Sequence, residues 1–494
     1  MVESIPLLSG ADLDAPIAWR GGLPLSRRRY LADVAALAAR LPPAGPVLAM
    51  TSDRYRFALS LGAALARGQF NLLPPNHAPD TMRRLRDEFR TAYLLAERPV
   101  PDARVAAAGI VPGAGDLADP VHAAQAVFGP SVILFAPDDS APVASNLPVP
   151  GIAPDQVVAH VLTSGSTGTS VPHPKAWELL VVNARAEARR MADFLARRSI
   201  AGLNLVGTVP AHHMYGFEST VLVAMLAGAA FAAERPFFPA EIVDSLRRLP
   251  SPRALVTTPF HLKTLLDSGL PVPRVDLIVC ATAPLSPQLA LRAEEALGGP
   301  LMEIYGCTEA GQVATRRTTS GSGWRTYDGL TVEASGAQAI VRGGHVPQPT
   351  PLADVIEVLD ATHFELLGRS NDLINVAGKR GSLSHLNFHL NSIEGVRDGA
   401  FWLPDVGPVR HGEVEDVVRL VAFVVGSDVT RERLHAELRT RIDPAFLPRR
   451  VVHVESLPRD PTGKLPAGRL EELGRQWLAA TRATASRADD DAGR

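Results

Sequence analysis

Short runs of Val, Ile and Leu alternate with longer Ala-, Leu- and Arg-rich stretches along most of the chain. "SRRRYLADVAALAARL" (residues 26–41) reads as an amphipathic helix and "PVLAM" (46–50) as a buried strand. "RYRFALSLGAALARG" reads as the next helix, ending at Gly68. Later runs, "AYLLA", "HVLT", "NLVGTVP", "RALVTT", "DLIVCA" and "LMEIYG", read as strands, most with a helical stretch between them. Short apolar strands separated by helices predict an α/β fold of mostly parallel sheets flanked by helices. In such sheets ligands sit outside the carboxyl ends of the strands.

After about Gly368 the pattern changes. "VVRLVAFVVG" and "RRVVHVESLP" read as strands around one helix, "RERLHAELRTRI", which predicts a separate small α+β domain. The expected division is a large N-terminal domain, residues 1–370, and a mobile C-terminal domain, 371–480. The small, polar and charged tail, 481–494, is predicted to be disordered.

Composition removes several classes of function. Fifty basic residues against 52 acidic ones give a net charge of −2, with no footprint for nucleic acid or an anionic membrane. Two cysteines, Cys280 and Cys307, are too few for a disulfide framework or a Cys-based zinc site. The N-terminus lacks the basic region of a signal peptide. The longest apolar stretch, residues 221–233, stops short of the ~20 needed to span a bilayer. A cytoplasmic protein, monomer or homodimer, without a membrane span is the expectation.

Four motifs carry candidate chemistry. In "HVLTSGSTGTSVPHPKAW" (160–177) an apolar strand ends in six residues drawn from Gly, Ser and Thr, with Lys175 seven positions on. Glycine lets backbone amides approach a ligand, hydroxyls add donors, and a lysine supplies counter-charge, a combination suited to polyphosphate. The loop is neither a Walker A loop nor a nucleophile elbow; taken alone it is equally a flexible turn. In "EIYGCTEAG" (303–311) a strand delivers Tyr305, then Gly306, Thr308 and Glu309. An aromatic face can stack on a purine and a carboxylate can hold Mg²⁺; the bland alternative is a strand end followed by the first turn of a helix. "PLADVIEVLDATHFELLGRSNDLINVAGKRGSL" (351–383) reads as two strands and a polar turn, and "LPRDPTGKLPAGRL" (457–470) as a surface loop presenting Lys464.

Together, in this order and spacing, these motifs resemble the adenylate-forming superfamily of acyl- and aryl-CoA synthetases, peptide-synthetase adenylation domains and luciferases. The resemblance runs from about Tyr30 to Gly474. It includes "VPAHHMYGF" (209–217), similar to the family's Pro-x-x-His-x-x-Gly segment, and "CATAPLS" (280–286), similar to its adenine-lining turn.

The resemblance implies roles residue by residue. Thr163, Ser164, Gly165, Ser166, Thr167 and Gly168, with Lys175, would cradle the ATP phosphates. Tyr305 would stack on adenine with Ala283 on its other side, Asp354 would hold the ribose, and Arg369 belongs to the same nucleotide site. Glu309 would hold Mg²⁺ and Thr308 would contact the α-phosphate. Lys464 would reach the substrate carboxylate and the α-phosphate. His213, Tyr215, Phe217, Gly306 and Gly311 would border the acid, although His213 is also explained as a core or gate histidine. The chain departs from the family pattern in its long, proline-stiffened "TSVPHP" before Lys175, a variant similar to ligases of bacterial aryl-polyene and related pigment pathways. The hinge position usually acidic is Asn371, with Asp372 next.

The implied activity is an AMP-forming acid–thiol ligase of secondary metabolism. It would activate a hydroxybenzoate-like aryl acid or a fatty acid with ATP and Mg²⁺. The acyl group would then pass to a phosphopantetheine thiol, on CoA or on a holo-acyl carrier protein, the pigment resemblance favouring the carrier. A catalytically inactive nucleotide-binding scaffold and an adenylate-using oxygenase of the same fold are the alternatives.

Overall fold

Local chemistry starts the helices where the pattern of the chain places them. Ser26 caps the helix Arg27–Ala38, its hydroxyl accepting from the Arg29 amide at 3.1 Å. Asp53 caps Arg54–Ala66 in the same way, accepting from Arg56 at 2.9 Å. Thr258 and Ser286 cap the helices Pro259–Asp267 and Pro287–Leu297, whose leading prolines need no amide partner and hold φ near its helical value. The structure, a computed structural model, describes residues 4–10, 12–77, 79–97, 128, 131–135, 142–144, 147–164, 170–335, 338–369, 373–376, 379–404, 420–426, 429–459 and 465–492.

Two large sheets organise the chain up to Arg369. The six-stranded sheet runs, in spatial order, Ser170–Ala176, Val157–Ser164, Asn71–Leu73, Val47–Met50, Tyr93–Ala96 and Val132–Leu134. Its strands are parallel except for the outermost pair, Ser170–Ala176 against Val157–Ser164. At the centre of the eleven-stranded sheet, Ala230–Ala232, Asn204–Gly207, Arg253–Thr257, Leu277–Cys280 and Leu301–Cys307 lie parallel.

From Leu301–Cys307 outward the direction alternates. Gly311–Arg316, Trp324–Thr326, His363–Arg369 and Asp354–Val358 add as antiparallel strands. The α/β fold is as the sequence predicts; most of the parallel strands are short runs rich in apolar residues. Leu277–Cys280 is buried throughout, as a strand covered on both faces must be, whereas Trp324–Thr326 alternates buried and exposed. Alternation and short connections favour antiparallel pairing.

A smaller three-stranded sheet, Asp398–Trp402, Val421–Val425 and Arg450–His453, lies with the helices Leu383–Asn391, Arg431–Arg439 and Ala467–Ala492. Leu390, Phe401, Val424, Leu434 and Leu438 fill one of its cores, and Trp402, Phe423 and Leu457 another. The buried members of both come from residue 374 onward. The last helix runs from Ala467 through Ala492. Alanine and arginine, frequent between residues 479 and 492, are among the best helix formers, and the polar composition conceals that propensity. Among the described residues, no helix is long and apolar enough to cross a membrane.

Candidate active site

The strand Leu301–Cys307 ends at the carboxyl edge of the central sheet and turns back at once into Gly311–Arg316. Thr308 and Glu309 therefore sit in the turn of a hairpin and do not begin a helix. The register shifts between Tyr305 and Gly306, and a Cβ on Gly306 would lie 2.5 Å from the Gly311 carbonyl oxygen. Gly311 itself holds φ at +78°, a left-handed conformation that glycine adopts without strain. The two glycines shape the hairpin, and Glu309 is exposed at its tip.

Forty-nine residues separate Tyr305 from Asp354, yet the Tyr305 hydroxyl donates to Asp354 Oδ2 at 2.7 Å. The Tyr305 ring packs against Trp324 and Phe364, with centroids 5.7 and 5.6 Å away. Asp354 opens its strand directly opposite Arg369, its register partner across the ladder. Ala283 lies in the turn after Leu277–Cys280, beside Thr282, which holds φ at +85°. A positive φ on threonine is uncommon and concentrates at functional turns.

Lys175 reaches the same hairpin from the six-stranded sheet. Its Nζ donates to the Thr308 carbonyl at 2.6 Å and, at longer range, to that of Glu309 at 3.4 Å. Burial pushes the Lys175 ammonium below its ordinary pKa, while Glu218, Cys307 and Glu309 oppose the shift by their charge. Burial also pushes the Cys307 thiol up to about 12 and Cys280 well above its usual value, so neither is a thiolate nucleophile near neutral pH.

The residues of the "HHMYGF" segment do not share one orientation. His213 immediately precedes a short helix, and its ring centroid lies 4.6 Å from that of His212, which is 4.7 Å from that of His77. The Tyr215 hydroxyl donates to the Thr257 and Val279 carbonyls at 3.1 and 2.9 Å, tying the segment to two strand ends. Phe217 is fully buried, edge-on to Phe57 at 6.0 Å. From Phe217 the chain runs as a π-helix to Leu222, a form often met at functional sites.

Beside the hairpin lies a cavity of about 320 Å³, lined by Lys175, Asn183, Met214, Glu218, Glu309 and His345 among others. Asn183, Glu218 and His345 are not among the sequence-predicted site residues. A signal was present for one of them: Glu218 is the only charged residue between His213 and Glu234, in an otherwise apolar run. Burial, reinforced by the charge of Glu187, pushes Glu218 up to about 8, and burial pushes Glu187 up to about 7.

The Glu187 shift has a sign that can be measured. Between pH 5 and pH 7 the folded chain keeps a proton on Glu187 that the unfolded chain gives up, so stability falls as pH rises. Glu187→Gln is expected to raise the thermal midpoint by several degrees at pH 8 and to change it little at pH 5. An equal shift at both pH values would contradict a raised pKa.

Gly165, Ser166, Thr167, Gly168, Asn371, Asp372 and Lys464 lie outside the described residues. Thr163 and Ser164 close the strand Val157–Ser164, opposite Val171 and Ser170.

A family model described as "AMP-binding enzyme" matches residues 25–383. A 4-coumarate–CoA ligase of Rhodobacter capsulatus is 30% identical over 281 residues, covering 57% of this chain and 66% of that protein. The chain thus spans just under two thirds of that relative's length. Among solved structures, ATP-bound MatB from Rhodopseudomonas palustris superposes with a TM-score of 0.72 at 17% identity, over 94% of this chain and 97% of that one. The anthranilate CoA ligase AuaEII in complex with anthranoyl-AMP gives 0.73 at 14% identity, over 97% and 99%. At these identities the two structures speak to the fold.

Proposed function

The chain belongs to the AMP-binding enzyme family, and on that basis we propose that it is an ATP-dependent carboxylic acid ligase. It forms an acyl-adenylate and passes the acyl group to a phosphopantetheine thiol. The observation that carries this reading is the convergence at one sheet edge. Tyr305 is bonded to Asp354 at 2.7 Å, Asp354 is paired in register with Arg369, and Lys175 is bonded to the Thr308 carbonyl.

In the first half-reaction a carboxylate oxygen attacks the α-phosphorus of ATP. The bond from that phosphorus to the bridging oxygen breaks, and pyrophosphate leaves. Negative charge spreads over phosphoryl oxygens, so the protein's part is positioning and opposite charge. Tyr305 and Asp354 hold the nucleoside, residues 163–168 and Lys175 hold the phosphates, and Thr308 faces the α-phosphate. Lys464 brings an ammonium to the reacting carboxylate.

The exposed Glu309 carboxylate is a hard oxygen donor that fits Mg²⁺, and a bound ion would offset phosphate charge. No cluster of three or more acidic, His or Cys side chains that could cage a metal occurs among the described residues. Glu309 would then hold the ion together with the substrate phosphates.

In the second half-reaction the small domain turns about residues near 371 and 372 and withdraws Lys464. The thiol then attacks the acyl carbonyl, loses its proton and releases AMP. A cavity of about 320 Å³ is at the low end of ligand pockets, roughly 300–1,000 Å³, and supports a small aryl acid over a long fatty chain. Lys379 is exposed and paired with Asp443. Exposed pairs of this kind are weak, typically ~0–1 kcal/mol, so Lys379 can exchange Asp443 for a phosphate or for an acidic carrier-protein surface.

Acid-dependent exchange of labelled pyrophosphate into ATP, over a panel of aryl and fatty acids, tests the reading. CoA and a holo-carrier protein are then compared as acceptors. No exchange with any acid would favour a nucleotide-binding scaffold, and oxygen consumption an oxygenase. Tyr305→Phe removes one hydrogen bond to Asp354, worth ~0.5–1.5 kcal/mol. It is expected to raise the KM for ATP about 2- to 10-fold in the exchange assay and to leave the KM for the acid unchanged.

A further inference from the structure

The cavity beside the hairpin has an inner end that the proposed chemistry does not use. Asn183, 1% exposed, donates through Nδ2 to Glu218 Oε1, and Glu218 is itself 1% exposed. That leaves Asn183 Oδ1 buried without a donor among the described residues. One helical turn on, Glu187 is 0% exposed, with the Ser219 hydroxyl and the Gln312 amide near enough to its carboxyl to favour the charged form. Gln312 donates to the Ser219 hydroxyl at 3.0 Å, and its own oxygen is left without a donor. His345, 5% exposed, lines the same cavity, with the Gln312 backbone near its ring.

The imbalance has a direction. Asn183 Oδ1 and Gln312 Oε1 are acceptors lacking donors among the described residues. Buried polar groups are normally satisfied, so the unpartnered Asn183 oxygen on the cavity wall calls for a ligand. Lys175 is the cation that acts on Glu218, yet its Nζ already donates to the Thr308 carbonyl at the mouth. Met214, Leu179 and Leu180 complete an apolar wall along the cavity.

We propose that the Asn183–Glu218 end of this cavity binds a hydrogen-bond-donating group, a hydroxyl or an amine, carried by the acid at the end away from its carboxylate. Glu218 and Asn183 then select the substrate, and the proposal rests on the acid-activating reading. With the acid's carboxylate at the Lys175 and Thr308 end, its body lies along Met214 and its donor meets Glu218 and the free Asn183 oxygen. A site built to bond a substrate OH or NH rejects the analogue that lacks it far more strongly than an apolar pocket rejects a missing methylene.

Calorimetric titration of the full chain tests this without requiring turnover. Benzoate is compared with 4-hydroxy- and 4-aminobenzoate, and hexanoate with its 6-hydroxy and 6-amino derivatives. At least one donor-bearing acid is expected to bind ten-fold or more tightly than its parent. Preference for the alkylammonium would mean an ionised Glu218, and preference for a hydroxyl would mean a neutral one.

Glu218→Leu is expected to reduce that preference to within about three-fold, with Glu218→Gln retaining part of it. If the leucine variant does not fold, the wild-type ratio still decides. Equal binding of parent and donor-bearing acids would overturn the proposal, as would a ratio unchanged in a folded Glu218→Leu. If parent acids support pyrophosphate exchange while donors bring no preference, this inference alone falls. If no acid binds at all, it falls together with the reading beneath it.

Discussion

Lys464→Ala is expected to lower acid-dependent pyrophosphate exchange by roughly 100- to 1,000-fold, the loss typical of removing one donor aimed at developing charge. Thioester formation from chemically supplied acyl-adenylate should stay within about three-fold of the wild type, because in the proposed mechanism the thiol step would follow withdrawal of the lysine. The two assays are run on the same preparation, and the split between them is the result that matters. Equal loss in both would remove Lys464 from the adenylation step. Residues 460–464 are bracketed by fixed points, which makes misfolding a poor explanation of the loss. On one side Arg459 pairs with Asp398 through two bonds of 2.6 and 2.7 Å. On the other, Glu471 accepts from the Trp402 indole at 2.7 Å.

Reading order decides what this chain discloses. Helices and parallel strands are written locally, in periodicity and in caps such as Ser26 and Asp53, and sequence alone finds them. The Tyr305–Asp354 bond is a different case. It spans forty-nine residues, and neither residue carries a local mark of the other. Only the resemblance of the whole motif series puts them in one site. The hairpin at Thr308 and Glu309 was ambiguous for a physical reason: Thr and Glu suit a first helical turn, and the deciding feature is the close approach of Gly306 to Gly311.

On an amphipathic helical pattern Asn183 and Glu187 would pass as solvent-facing. They in fact fall on the buried side of Trp177–Phe194, among Leu180, Ala184 and Met191. Polar residues inside an apolar stripe, like the lone Glu218 in its apolar run, are the sequence signal for a buried polar site. That signal says something polar is needed there without saying what it meets.

Arg54 joins this architecture to its stability. Its guanidinium is buried and donates to the carbonyls of Ala232, Glu234, Gly207 and Val209 at 3.0, 3.3, 3.1 and 2.8 Å. Burial, with the nearby Arg235 charge, pushes it down to about 10, so it stays charged at neutral pH, solvated by backbone carbonyls. The contact ties the start of one helix to the ends of two central strands and to Val209, which leads into the His213 segment. Gly207 has no side chain for a steric reason: a Cβ there would lie 2.6 Å from Arg54 Nη2.

Arg54→Leu removes the cation and leaves buried carbonyls unpaired, an expected loss on the order of 3–5 kcal/mol and a clear fall in thermal midpoint. Arg54→Lys keeps the charge but lacks the planar fork, and should fall between the two. Gly207→Ala is expected to destabilise the wild type by crowding the guanidinium and to cost markedly less in the Arg54→Leu background, where the space is released. Additive losses in that double-mutant cycle would show that the two positions do not act through one contact.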